Sequence, residues 1–177
     1  MMSAIARNRQ ERRSMHKRYA GHAMGVCLQP SSIHGTGLYA TRSFCVSQRI
    51  IEYAGKIRRW SDCADDDNTY TCLMDLGRNL VIDPQIDGNE ARFINHSCSP
   101  NCHAVMDGKK VFIEAIGYIR RGAEITIDYA IILPRSLRNA QEMTIYACKC
   151  GSAYCRGTML APRKRRPAIV STRTRGP

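Results

Sequence analysis

The sequence predicts a mostly β protein built from short strands and few, short helices. Between residues 26 and 130, short runs of apolar and β-branched residues alternate with clusters of Gly, Asn, Asp and Ser. The stretch "DGKK" at 107–110 has the turn composition of a hairpin and lies between two apolar runs. Helical periodicity is weak throughout. These observations favour a domain made of several short-stranded sheets.

Seven runs have the composition of strands. In chain order they are "GLYA" (37–40), "RIIEYAG" (49–55), "TYTCLM" (69–74), "LVID" (80–83), "CHAVM" (102–106), "KVFIEAIGYI" (110–119) and "EITIDYA" (124–130). The segment "SDCADDDN" at 61–68 has turn composition and a dense acidic run. Two weaker patterns indicate short helices, one over 88–94 and one within 135–143.

The net charge of +12 is carried by the two ends of the chain. Residues 1–22 hold six Lys or Arg and one Glu, residues 156–177 hold seven basic residues and no acid, and the rest is neutral. We therefore expect a basic N-terminal arm over 1–23 and a disordered basic tail over 161–177. Basic arms suit a polyanion such as nucleic acid, although solubilising tails have the same composition.

The cysteine content favours reduced thiols over disulfides. The chain has nine cysteines, an odd number, and its N-terminal region is rich in Arg without the apolar run of a secretion signal. It also lacks the ~18 consecutive apolar residues of a membrane span, so no membrane partner is expected. The expected location is intracellular.

Three cysteines stand close together near the C-terminus, in "CKCGSAYC" at 148–155. Structural zinc sites commonly use four thiolates, so this segment leaves one ligand to come from elsewhere. Three free thiols near a flexible end are the alternative.

Four stretches in fixed order resemble one family. These are "IHGTGLYA" (33–40), "RFINHSCSPNC" (92–102), "EITIDYA" (124–130) and "CKCGSAYCRGTM" (148–159). Together they resemble the SET-domain protein lysine methyltransferases, with a cysteine-rich post-SET segment at the C-terminal end. The resemblance covers roughly residues 24–160. It implies a SET catalytic domain over 24–147, a knot-like threading of the C-terminal chain, and a post-SET zinc segment over 148–160.

The resemblance implies two bound groups, S-adenosylmethionine as methyl donor and one structural zinc ion. The zinc would be held by Cys98, Cys148, Cys150 and Cys155, with Cys102 as the rival fourth ligand. Metal binding would fold the C-terminal segment back over the active site.

The resemblance also implies roles for individual residues. Tyr129 takes the catalytic position, Tyr53 is a second channel tyrosine, and Ile127 lies in the substrate channel. The implied cofactor-binding set is His34, Gly35, Thr36, Gly37, Tyr70, Arg92, Asn95, His96 and Tyr129. Met159 or Leu160 would close over the adenine ring.

Two positions depart from the family pattern. Thr36 replaces an aromatic residue between the two glycines, which would loosen one wall of the cofactor site. Ile127 stands where relatives often carry Phe or Tyr, and a tyrosine hydroxyl there tends to hold a water that limits methylation. We therefore expect di- or trimethylation to be permitted.

The expected substrate is a histone or a histone-like basic protein. Asp65, Asp66 and Asp67 would attract its basic tail, although a solvated acidic loop has the same composition. Lys164 in the basic tail is a candidate for self-methylation. The location would be a nucleus or a bacterial cytoplasm. Two other functions fit the sequence less well: a catalytically inactive SET module that binds peptide or nucleic acid, and a small zinc-stabilised nucleic-acid-binding protein.

Overall fold

A computed structural model describes residues 25–63, 72–132 and 144–162 of the chain. Over those ranges the regular structure consists mainly of short strands, which confirms the mostly β prediction. The strands are β1 (Val26–Pro30), β2 (Thr36–Ala40), β3 (Arg49–Glu52), β4 (Lys56–Arg59), β5 (Met74–Gly77), β6 (Leu80–Asp83), β7 (Asn95–His96), β8 (Cys102–Asp107), β9 (Lys110–Ala115) and β10 (Glu124–Ile127). Two single-turn 3₁₀ helices cover Trp60–Cys63 and Glu90–Phe93.

The strands form three small sheets. One has four strands in the order β1-β2-β10-β7, and the other two have the orders β3-β9-β8 and β4-β6-β5. Neighbouring strands are antiparallel except for β7 and β10, which run parallel. The parallel pair brings two stretches that are far apart in the sequence side by side.

The core lies where the inner faces of the strands meet. Its largest fully buried side chains include Leu38, Phe44, Ile113 and Ile125. On β9 the burial alternates residue by residue, so Val111, Ile113 and Ala115 face the core. This alternation is the period of two that a half-buried strand requires.

The strands predicted from apolar runs are confirmed in several places. "LVID" coincides with β6, and "CHAVM" and "KVFIEA" form the predicted hairpin of β8 and β9, in which Asp107 pairs with Lys110 across a two-residue turn. "RIIEYAG" ends as a strand at Glu52. The run after β9 leaves the sheet at Ala115, and Ile119 forms only an isolated bridge to Phe44.

Three strands were not predicted: β1, β4 and β7. Strand β4 is "KIRR", mostly exposed and basic, and so has no apolar alternation to detect. Strand β7 is two residues long and polar. Of "TYTCLM", residues 69–71 lie outside the described residues, and β5 begins at Met74.

The helical pattern at 88–94 corresponds to the single turn Glu90–Phe93. Its cap is Asn89, whose Oδ1 accepts a hydrogen bond from the Ala91 N–H at 3.2 Å. The other predicted helix (135–143), the acidic run at 65–67, residues 1–24 and residues 163–177 lie outside the described residues. None of the described helices is long and apolar enough to span a membrane.

The buried strand β9 should carry a large share of the stability. Ile113→Ala leaves a cavity at a side chain that is fully buried, and should lower the free energy of unfolding by about 2–5 kcal/mol. Ile116→Ala removes the same atoms from a side chain that is 44% exposed, and should cost about 0.5 kcal/mol or less. Urea denaturation of both variants measures the difference. Equal losses of unfolding free energy would contradict the placement of Ile113 in the core.

Candidate active site

The site is organised by the parallel pair β7 and β10. Asn95 lies opposite Thr126, His96 lies opposite Ile127, and the Ser97 N–H donates to the Ile127 carbonyl at 2.9 Å. This pairing joins the stretch "RFINHSC" to "EITIDYA". Two sequence motifs that are about thirty residues apart therefore form one wall.

The side chain of Asn101 extends this pairing. Its Nδ2 donates to the Glu124 carbonyl at 2.7 Å and its Oδ1 accepts from the Thr126 N–H at 2.9 Å. The amide therefore bonds to β10 as a further strand residue would, and satisfies two backbone groups of that strand. Asn101 was not among the predicted site residues, although it lies inside the stretch 92–102.

Tyr129 is held at both its backbone and its hydroxyl. The hydroxyl donates to the Ile94 carbonyl at 2.7 Å, and the backbone N–H donates to His96 Nδ1 at 3.1 Å. The two rings meet edge to face, with centroids 5.4 Å apart. Burial raises the pKa of Tyr129, so the phenol keeps its proton at neutral pH.

Tyr53 is the second fixed tyrosine. It is 5% exposed, and its hydroxyl donates to the Cys72 carbonyl at 2.5 Å. Burial is the main cause that raises the pKa of Tyr53, and the neighbouring Cys72 and Tyr129 add to it. Both phenols are therefore neutral donors whose protons already have acceptors.

The two tyrosines line one cavity of about 280 Å³. Most of its other lining is apolar: Trp60, Leu73, Met74, Ile94, Ala104, Ile127, Ala130, Ile131 and Ile132. Asp75 and Asp128 are its acidic residues. The predicted Tyr129, Tyr53 and Ile127 are thus brought together in one apolar cavity.

Asn95 holds the loop that precedes β2. Its Nδ2 lies 3.1 Å from the His34 carbonyl, 3.3 Å from the Thr36 carbonyl and 2.8 Å from Glu124 Oε1. The buried amide is therefore bonded within the protein. Asn95 would therefore influence a ligand at the loop by holding the backbone of residues 34–36 in place.

Glu124 is the centre of this network, and sequence reasoning missed it. Its Oε2 accepts from the Ser31 hydroxyl at 3.0 Å and from the Tyr39 hydroxyl at 2.9 Å, while Oε1 accepts from Asn95. Burial, followed by the carboxylate of Glu124, raises the pKa of Tyr39. The signal available in the sequence was a lone acidic residue at the start of the apolar run "EITI".

The two glycines of the loop have different reasons to be glycine. Gly35 has φ +49° and is exposed, and a Cβ there would meet no atom within 4 Å, so the backbone is open to a ligand on that side. At Gly37 a Cβ would lie 2.8 Å from Glu124 Cδ and nearer still to Oε1. Gly37 therefore makes room for the Glu124 carboxylate.

Two of the other predicted cofactor residues lie next to Gly35 in this loop. His34 is exposed next to Gly35, and Thr36 is half-buried at the start of β2. The Arg92 guanidinium lies 5.0 Å from the ring centroid of Phe93. Tyr70 lies outside the described residues.

Four cysteine sulfurs converge on one point. The Sγ atoms of Cys98, Cys148, Cys150 and Cys155 all lie within 4.8 Å of one another, with 3.7 Å between those of Cys98 and Cys148. A tetrahedral zinc ion with bonds of about 2.3 Å requires ligand sulfurs about 3.8 Å apart. The donor set and its spacing fit a structural zinc ion.

Backbone N–H groups point at these sulfurs. Cys98 Sγ accepts from the Arg156 N–H at 3.3 Å, Cys148 Sγ from the Cys150 N–H at 3.4 Å, and Cys155 Sγ from the Gly157 N–H at 3.4 Å. Such donors favour the thiolate form, which is the form that binds metal. At Cys150 burial acts to raise the pKa, but hydrogen bonds from backbone N–H groups and neighbouring thiols outweigh it and lower the pKa to about 6.

Cys102, the rival fourth ligand, lies outside this cluster. It is fully buried on β8 and packs in the hydrophobic core, and burial raises the pKa of its thiol to about 12. Its sulfur is not among those that lie within 4.8 Å of one another, so it is not placed to bind the same ion. The structure places Cys98 with the other three sulfurs.

The C-terminal segment lies against the end of the wall. Leu160 bridges to Ile131 in parallel and Thr158 bridges to Ala147, while the Ile131 N–H donates to the Met159 carbonyl at 3.1 Å. Leu160 is buried at 3% exposure and Met159 is half-buried. The segment 158–161 is thus held beside Ile131, which lies two residues after Tyr129 in the chain.

Comparison with known proteins agrees with this geometry. The SET domain model matches residues 35–130, which include the loop at Gly35, the pair β7 and β10, and Tyr129. The chain belongs to the SET-domain family.

Relatives of this SET-domain chain include several large proteins. It is 38% identical over 137 residues to histone-lysine N-methyltransferase trithorax of Drosophila virilis, covering 71% of this chain and 3% of that protein. It is 34% identical to the histone-lysine N-methyltransferase, H3 lysine-4 specific, of Schizosaccharomyces pombe, covering 72% of this chain and 14% of that protein. With SETD1B of Xenopus laevis, also named a histone-lysine N-methyltransferase, identity is 35%, over 73% of this chain and 7% of that protein. The chain thus spans a small part of each of these relatives.

The SET match ends before the cysteine segment at 148–155. The case for a metal centre in this chain therefore depends on its own geometry, the convergence of Cys98 with the three C-terminal thiols.

Removal of one thiol should distinguish the two candidate fourth ligands. Cys98→Ser should lower the bound zinc to well below one ion per chain, because only three thiolates remain. Cys102→Ser, the matched control, should keep the zinc because its thiol points into the core. Native mass spectrometry of both variants gives the stoichiometry, and full zinc content in Cys98→Ser would contradict the assignment.

Proposed function

We propose that this SET-domain chain is an S-adenosylmethionine-dependent protein-lysine N-methyltransferase, with a catalytic domain over 24–147 and a post-SET segment over 148–160. The observation that carries the proposal is the apolar cavity in which Tyr129 and Tyr53 lie together. The names of its relatives, histone-lysine N-methyltransferases, agree with this chemistry.

The open loop at residues 34–36 is the place for the cofactor. S-adenosylmethionine, when bound, supplies an electrophilic methyl group on a sulfonium sulfur. The exposed backbone at His34 and Gly35 would hold its methionine part. The backbones of Asn95 and His96 would hold the adenosine, with Arg92 flanking it. Asn95 keeps the loop in place through its bonds to the His34 and Thr36 carbonyls.

The apolar cavity would prepare the substrate amine. A lysine amine has a pKa of about 10.4 in water, and an apolar environment disfavours its charged form, which assists loss of the proton. The two phenols donate their protons to the Ile94 and Cys72 carbonyls, so their oxygen lone pairs remain to accept N–H from the amine. The chain thus orients and desolvates the nucleophile.

The wall around Tyr129 supports di- or trimethylation. Ile127 is 6% exposed and lines the cavity with Leu73, Ile94 and Ala104, none of which carries a hydroxyl. Without a hydrogen-bond donor at 127, this residue would hold no water next to the amine. Room therefore remains for a methylated amine to turn and accept a further methyl group.

The cavity rim supports a basic substrate, of which a histone tail or a histone-like protein is the type. Asp75 is exposed on β5 and lines the cavity, as does Trp60. Its Oδ1 accepts from the Gly77 N–H at 2.7 Å, and no described Lys or Arg pairs with it. An exposed carboxylate at the cavity is suited to a lysine or arginine of the substrate. A basic substrate of this kind favours a nuclear or bacterial cytoplasmic location.

Loss of the Tyr129 hydroxyl should abolish most of the activity. Tyr129→Phe removes the bond to Ile94 and one acceptor for the amine, and should lower kcat at least about 100-fold. Tyr118→Phe is the matched control, because that ring is 71% exposed and its hydroxyl bonds only to Ser43 among the described residues. Transfer from labelled S-adenosylmethionine to histones and to a bacterial histone-like protein measures both.

The two outcomes of that experiment separate the rival functions. Label lost in Tyr129→Phe alone would establish the chemistry. Cofactor binding without transfer to any acceptor would favour the inactive module.

The residue at 127 should set the product. The wild-type protein should form di- or trimethyl-lysine, whereas Ile127→Tyr should stop mainly at monomethyl-lysine because its hydroxyl can hold a water in the cavity. Ile127→Val, which adds no hydroxyl, serves as the control. Mass spectrometry of a peptide at long reaction times gives the distribution, and monomethyl product alone from the wild type would contradict the assignment.

A further inference from the structure

Arg156 joins the cysteine cluster to the active-site wall. Its backbone N–H donates to Cys98 Sγ at 3.3 Å, and its Nη2 donates to Asp128 Oδ1 at 2.8 Å. Asp128 directly precedes Tyr129. One residue therefore contacts a candidate metal ligand with its backbone and the neighbour of the candidate catalytic residue with its side chain.

Asp128 in turn fixes the backbone on the far side of Tyr129. Its Oδ1 accepts from the Ala130 N–H at 3.0 Å, and Ala130 has φ +45°. A residue with a Cβ adopts this left-handed conformation only when its surroundings hold it there. The carboxylate oxygen that Arg156 binds is thus the oxygen that holds the turn after Tyr129.

A second connection reaches the same tyrosine from Cys98. His96 Nδ1 accepts the Tyr129 N–H, so the imidazole proton lies on Nε2, which is 3.4 Å from Cys98 Sγ. His96 is 2% exposed and has no room to turn without disturbing both contacts. Cys98 is therefore linked to the Tyr129 backbone through His96 and through Arg156 with Asp128.

We propose that Arg156 is a positioning residue, which sets the orientation of Tyr129 through Asp128 and makes it depend on an intact cysteine cluster. This inference rests on the proposed function for its effect on catalysis, but the backbone effect stands without it. The contact is a single hydrogen bond from Nη2, and Arg156 Nε is buried without a hydrogen-bond partner among the described residues. A lysine at 156 can therefore keep the hydrogen bond to Asp128.

The test compares Arg156→Met, Arg156→Lys and the wild type. Methionine retains an unbranched apolar stem without the charge, and should lower kcat by roughly tenfold through misplacement of Tyr129. The KM for a histone peptide should stay within about twofold, since substrate contacts are kept. Arg156→Lys should recover most of the lost kcat. Arg121→Met, at an exposed arginine, is the control.

A readout independent of activity is amide hydrogen exchange followed by NMR. Ala130 is exposed, so protection of its N–H depends on the bond to Asp128. Exchange at Ala130 should become faster in Arg156→Met and return towards the wild-type rate in Arg156→Lys, with zinc content unchanged. Unchanged kcat and unchanged Ala130 exchange in Arg156→Met would overturn the inference, and so would loss of the zinc.

If Arg156→Met does not fold, Asp128→Asn tests the same ion pair from its other end. The amide oxygen can still accept the Ala130 N–H, but the charge that Arg156 binds is gone. A lower kcat with full zinc content would support the inference, and wild-type kcat would overturn it. A wild-type protein that transfers no methyl group would refute the proposed function alone, and Ala130 exchange would then decide the inference.

Discussion

The parallel contact between β7 and β10 is the constraint on which the rest of the site depends. It is short, two residues on one side, and it places the polar Asn95 and His96 in a buried position. Such a contact is stable only if the buried polar groups find partners. Asn101 supplies bonds to the β10 backbone, and Asn95 and His96 bond outwards to the loop and to Tyr129. The functional geometry follows from satisfying these groups.

The polar network therefore has two sides with separate tasks. On one side, Glu124 and Asn95 hold the loop at Gly35 and require a glycine at 37. On the other side, His96 and Asp128 hold the backbone around Tyr129. Ile127 lies between Glu124 and Asp128 in the sequence. It is the last residue of β10, and its apolar side chain faces the cavity. One strand thus separates the candidate cofactor side from the candidate substrate side.

The strands that could be predicted from the sequence were those with a local pattern of apolar residues. "LVID" is an apolar run that forms a strand because most of its side chains reach the core, whereas "CHAVM" pairs along its length with β9 and buries only Cys102. "KIRR" forms β4 only because β6 lies beside it, and nothing in its composition records that neighbour. The position of Tyr129 follows from a motif, whereas the roles of Glu124 and Asn101 depend on contacts across the fold. Sequence spacing also left Cys98 and Cys102 open, and the fold separates them, because Cys98 Sγ lies with the other three sulfurs whereas Cys102 is buried in the core.

The cysteine cluster combines ligands that are near one another with one that is distant. Cys148, Cys150 and Cys155 are local, but Cys98 lies 50 residues before Cys148. A metal bound there would close a loop of that length and restrict the unfolded chain much as a crosslink does, an entropic effect of about 4 kcal/mol. In the folded chain the pairing of β7 with β10 lies directly before Cys98, which is thereby held beside the other three sulfurs. Metal capture would thus be a late event in folding, and an isolated C-terminal peptide would retain the ion far less tightly than the whole chain.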